Sequence, residues 1–170
     1  GYPRKLKIYA ASEMLKKRFD NKVLLSRNIG RIGLPSVQTR VGKLGDLTFS
    51  ALQKELGLPF VVQFPYGSSG SSTFVIREEK DHKKLRKNHP DQTVVTRRYI
   101  SGYSLNVNGI VVSTPKGIRT YCAHPAVQLT GLPECSRMDK AFCGNDYTSA
   151  RGLEKHILDQ VKNNVSRVGE

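Results

Sequence analysis

The sequence predicts an α+β protein, on three observations. A helix stop, a short apolar strand and a glycine–serine loop follow one another without interruption over residues 56–73. A strongly charged helical stretch comes next, and alternating strand-like runs then give way to an amphipathic helical stretch near the end. In order, the pattern predicts a helix over about 12–32, a brief extended piece at 37–39, and a helix over about 48–56 that Gly57 and Pro59 terminate. A strand at 60–64, a loop, and a strand at 73–77 follow. Residues 78–87 read as a helix with acids in its first turn and bases in its last, which complements the helix dipole, and Leu85 and Ile76 are its expected inward contacts. Beyond the turn at Asn88-His89-Pro90-Asp91, residues 93–100 and 103–113 alternate as neighbouring strands, with the turn-prone pair Asn108-Gly109 and a further short strand at 118–122. Residues 124–147 have mixed polarity and read as irregular; Glu154, Ile157, Leu158 and Val161 recur at helical spacing in a final helix over 151–166.

The 170 residues are 38% hydrophobic and 25% charged, with a mean hydropathy of −0.43. That is enough to bury a core as one domain or two small lobes. No apolar run approaches the roughly 18 residues of a helical membrane span, and the basic start Gly1-Tyr2-Pro3-Arg4-Lys5-Leu6-Lys7 lacks the apolar stretch of a secretory signal. A soluble, cytoplasmic protein is the expectation.

Charge narrows the partners. Lys and Arg number 28 against 14 Asp and Glu, for a net +14, and residues 1–43 hold eleven bases against Glu13 and Asp20. Such a surface attracts polyanions, so nucleic acid bound through the basic N-terminal third stays open. Against it stand the absence of Trp and an aromatic content of 8%, which leave few stacking platforms. Cys122, Cys135 and Cys143 are odd in number and contain no Cys-x-x-Cys pair, which speaks against a disulfide scaffold; with His124 they offer four zinc-type ligands at a spacing that matches no standard knuckle.

The loop is the most informative segment. In Pro65-Tyr66-Gly67-Ser68-Ser69-Gly70-Ser71 the glycines permit positive φ and the short side chains let a ligand approach backbone N–H groups, the makings of a concave anion site. A plain flexible connection has the same composition. No Gly-Lys-Ser/Thr closes the segment and a strand follows it, so it is not a P-loop.

Taken in order, several segments resemble the ATP-grasp domain of carboxylate–amine ligases and biotin carboxylase-like enzymes. Phe19-Asp20-Asn21-Lys22 followed by Ile32-Gly33-Leu34-Pro35 resembles the family's lysine-bearing helix and its exit. Leu58-Pro59-Phe60-Val61-Val62 with the glycine–serine loop resembles its strand and phosphate-covering loop, residues 94–102 its hinge strand, and 103–112 the strand after it. Residues 125–131 with 142–146 resemble a segment of some members. The resemblance implies two lobes built on a small antiparallel sheet with flanking helices: an N-terminal helical segment (1–46), a small nucleotide-covering lobe (47–100) and the start of a second lobe (101–170). It implies ATP as cofactor, with Lys22 at phosphate, Gly67, Ser68, Ser69, Gly70 and Ser71 covering the β and γ groups, and Arg98, Tyr99 and Ile100 meeting adenine. A complete enzyme of this type makes an acyl phosphate from a small carboxylate, which an amine then attacks.

Three departures qualify that expectation. Gln63 stands where the family places a second lysine, and a neutral amide lacks the charge-assisted component of a phosphate contact. Arg97 and Arg98 stand where a glutamate commonly holds ribose or adenine, and arginine has no acceptor. The strands that carry the family's magnesium ligands would follow residue 170, so Mg2+ is expected only of a complete enzyme, this chain is expected to be a fragment or degenerate copy, and a non-catalytic basic nucleotide- or nucleic-acid-binding module is the alternative.

Overall fold

The computed structural model describes residues 12–68, 70–137 and 141–169. Helix α1 (Glu13–Asp20) begins where the Leu15 N–H donates to Ser12 Oγ at 3.3 Å, with Glu13 and Lys17 paired one turn apart. The single helix expected over 12–32 is two. Asn21 adopts an extended backbone, and its Oδ1 accepts from the Val23 and Leu24 N–H groups at 3.0 and 3.1 Å, so it starts a second helix, α2 (Lys22–Arg31). Periodicity runs through such a break because one capping residue barely shifts the apolar spacing.

Strand β1 (Thr39–Lys43) and a short 3-10 turn lead into α3 (Phe49–Leu56), capped at its start by Thr48 and ended by Gly57 at φ 77°. Strands β2 (Phe60–Gln63) and β3 (Thr73–Ile76) flank the glycine–serine loop. Helix α4 (Glu79–Asn88) opens with a reciprocal capping box between Glu78 and Asp81, and β4 (Thr93–Arg98) completes an antiparallel sheet of order β1-β4-β2-β3.

Alternation along these strands makes two different faces. Phe60, Val62, Ile76 and Val94 point to the face covered by α3 and α4, where Leu44, Leu52, Leu56 and Leu85 close a core with almost no exposure. Leu85 and Ile76 are inward as expected. Val61, Gln63, Val95 and Arg97 point the other way, toward α2, which packs on β4. His82 lies within the core beside the Phe49 and Phe60 rings, at centroid distances of 6.1 and 6.2 Å.

The remaining chain departs from expectation. Residues 103–113 form two strands, β5 (Ser104–Asn106) and β6 (Gly109–Thr114), and neither pairs with β4. A period of two identifies a strand but not its partner. Strand β6 instead forms a hairpin with β7 (Gly117–Cys122). The segment expected to be irregular supplies β8 (Ala126–Thr130) and β9 (Phe142–Asp146), which with β5 make a sheet of order β5-β8-β9. A sequence such as Phe-Cys-Gly-Asn-Asp carries little strand preference of its own, and cross-strand packing decides it. A short 3-10 turn at Ser149–Gly152 precedes α5 (Lys155–Gly169), which packs on β7; Arg167 at its end donates to Ile32 O, the C-terminal cap of α2, at 2.9 Å.

Candidate functional site

The glycine–serine loop is fastened to the first turn of α2. The Lys22 backbone N–H donates to Pro65 O at 2.9 Å, and Lys22 Nζ donates to Gly67 O, also at 2.9 Å. Within the loop, the Ser71 N–H and Oγ both donate to Ser68 O, at 3.0 and 2.8 Å, and the Thr73 N–H donates to Gly70 O at 3.1 Å. Gly67 and Gly70 have φ of 138° and 83°. These angles require glycine, and a Cβ at Gly67 would run into Ser72, which is buried beneath it. The loop is thus a compact pair of turns lying over a lysine at a helix N-terminus, where the dipole favours an anion while the Lys22, Val23 and Leu24 N–H groups are already taken by Pro65 O and Asn21 Oδ1. Ser69 lies outside the described residues.

Gln63 and Arg97 lie on the α2-facing side of the sheet, where the register also places Thr39, Lys43, Thr73 and Thr93. Gln63 Nε2 donates to Thr73 Oγ1 on the neighbouring strand at 3.2 Å. An Arg97 Nη donates to Ser26 Oγ, one turn along α2 from Lys22, while Arg97 Nε is buried without a hydrogen-bond partner. Burial pulls the Arg97 guanidinium below its ordinary pKa. No carboxylate within 4 Å compensates it among the described residues. Ser26 and Thr73 are the partners that sequence reasoning did not single out; the spacing of four from Lys22 to Ser26 is the one signal for the former.

Arg98 belongs to the opposite face. Its Nε donates to Leu56 O at 3.3 Å, satisfying a carbonyl at the end of α3, and its backbone N–H donates to Gln38 O at 3.2 Å. Tyr99 is half-buried and Ile100 is exposed in the segment that leaves β4. The structure therefore brings Lys22, Gly67, Gln63 and Arg97 to one side of the sheet and sends the Arg98 side chain to the other. Gly70 and Ser71 also line a separate cleft of about 760 Å³ along the outer edge of β3.

Among the described residues, no three His, Cys, Asp or Glu side chains gather closely enough to hold a cation. The described residues do not fit a magnesium site, and Cys122, His124, Cys135 and Cys143 do not converge as zinc ligands. No helix among the described residues is long and apolar enough to cross a membrane.

No protein-family model matches the chain, and no curated protein matches it in sequence. Solved structures do match. An N5-carboxyaminoimidazole ribonucleotide synthetase in complex with ADP superimposes with a TM-score of 0.67 at 17% identity, over 93% of this chain and 39% of that one. A D-alanine–D-alanine ligase from Bacillus anthracis matches with a TM-score of 0.62 at 16% identity, over 89% of this chain and 48% of its own. An ATP-grasp RimK domain protein from Sphaerobacter thermophilus matches with a TM-score of 0.59 at 16% identity, over 90% and 52%. The chain thus spans between 39% and 52% of the length of these structures. At such identities it is the path of the backbone that is shared, and the chain has part of the fold of the ATP-grasp ligases.

Proposed function

We infer that this chain is an ATP-binding domain of the ATP-grasp ligase type, with the triphosphate held between the glycine–serine loop and the α2-facing side of the sheet. The observation that carries this reading is the contact of Lys22 Nζ with Gly67 O, which joins the one lysine at the helix N-terminus to the loop across 45 positions of sequence. A phosphate oxygen takes the place of that carbonyl as the stronger, charge-assisted acceptor, and the backbone N–H groups of Gly67, Ser68 and Gly70 close over the β and γ groups. Arg97 supplies a second, weakly solvated positive charge on the same side, and Gln63 a neutral donor. The backbone of residues 98–100 meets the adenine. In a complete enzyme the nucleotide activates a small carboxylate as an acyl phosphate for attack by an amine.

Titration of the chain with ATP tests this. Lys22→Ala removes the charged donor and weakens binding roughly tenfold; Gly70→Val forces a branched residue to φ 83° and does the same by distorting the loop. Because the described residues offer no cation site, affinity is expected to be indifferent to added magnesium. Unchanged titrations for both variants would remove the assignment, and preference for an oligonucleotide over ATP would favour the nucleic-acid alternative.

A further inference from the structure

Strand β3 is an outer strand of its sheet, hydrogen-bonded to β2 alone. The Phe64 N–H donates to Ser72 O at 3.0 Å, which sets the phase of the ladder. Ser72, Phe74 and Ile76 turn their backbone groups toward β2, whereas Thr73 and Val75 turn theirs outward. Thr73 N–H is taken up by Gly70 O, so the backbone N–H and C=O of Val75 and the C=O of Thr73 are what the edge offers a partner. The cleft of about 760 Å³ runs along this edge, between β3 and α4.

Its charged lining is mostly positive, three cations against Asp81. Arg77, Lys84 and Arg137 line the cleft, and none of them forms an ion pair among the described residues. The contrast on α4 is informative: Lys80 and Lys83 pair with Glu78 and Glu79, at 2.6 and 3.1 Å, while Lys84 faces the cleft without a carboxylate. The cleft's one acid, Asp81, has an oxygen committed to the Arg77 and Glu78 N–H groups at 3.2 and 3.3 Å as part of the α4 cap. An edge with free backbone groups, bordered by uncompensated cations, is complementary to an extended chain that carries acidic side chains.

We propose that this cleft binds an acidic peptide segment in extended conformation, added as a strand to the outer edge of β3. Backbone hydrogen bonds to Val75 fix the segment, and carboxylates at alternate positions reach Lys84 and Arg137. The site is distinct from the inferred nucleotide position, with which it shares only the loop residues Gly70 and Ser71.

The test is fluorescence anisotropy of the full chain with a labelled, blocked octapeptide of alternating glutamate and valine. Saturable binding is expected, weakened about tenfold or more by the double variant Lys84→Glu/Arg137→Glu and abolished when the central peptide amides are N-methylated. Both substitutions are on exposed positions, and an unchanged thermal melt shows that the variant folds. Equal binding of the N-methylated peptide would overturn the proposal, because charge alone then explains the affinity. So would displacement by ATP, which assigns the cleft to the nucleotide, or equal competition by a short RNA of the same charge. Loss of ATP binding in Lys22→Ala with peptide binding intact separates the two sites; absence of peptide binding overturns this proposal alone.

Discussion

The four-stranded sheet β1–β4 and the strands β5–β9 that follow differ in how they bury apolar surface. In the first, Leu44, Leu52, Phe60, Val62 and Val94 are fully buried beneath α3 and α4. In the second, the buried residues described are Pro125, Ala126, Ala141 and Ala150, while Ile110, Ile118 and Tyr121 are each more than half exposed. Helix α5 covers one face of the β6–β7 hairpin, and the other face presents Ile110 opposite Tyr121 to solvent. A two-stranded ribbon with one uncovered apolar face is a weak unit in water. The first region holds itself together and can position a loop; the second has strands without a core of comparable size.

The largest expected effect tests the stronger region. Leu52→Ala should cost about 2–5 kcal/mol in a chemical-denaturation midpoint, because the side chain is fully buried and helix and sheet cannot both collapse onto the gap. A cost below about 1 kcal/mol, the size of a surface change, would mean that the two regions share their stability. Amide hydrogen exchange sharpens the contrast next. Protection should be high in β2 and β4 and low in β6 and β7, since exchange follows local opening; equal protection would erase the distinction.

The smallest effect concerns His82. Burial, then the nearby Arg86, lowers its pKa from the ordinary value, with Glu79 acting weakly in the opposite direction. The neutral ring is the folded form, so its contribution is fully present above the unfolded value near 6.5 and is lost as pH falls from there through the lowered folded value. A thermal melt of the first region should therefore drop between pH 7.5 and 5, and His82→Phe should flatten the drop relative to the parent. Parallel profiles would assign the pH dependence to other groups.

Much of the first region was legible in the sequence because its signals are local. Gly57 stops α3, the acids and bases of α4 follow the dipole, and Phe60 to Gln63 is an apolar run of strand length. The break at Asn21 was not, since an asparagine within an otherwise helical pattern declares itself a cap only through the N–H groups it accepts. Nor were β8 and β9, whose residues become strands through each other. At the candidate site, the loop and Lys22 could be named from composition and resemblance, but their contact spans 45 positions and no local rule reaches that far. The opposed directions of Arg97 and Arg98 follow from simple alternation, yet which of the two points to α2 depends on which face α3 and α4 cover.

The bond from Arg167 to Ile32 O has a mechanical consequence. It ties the far end of α5 to the exit of the same helix whose entrance grips the glycine loop, joining points 135 positions apart. Helix α2 therefore stands with one end held by the last helix and the other by the loop.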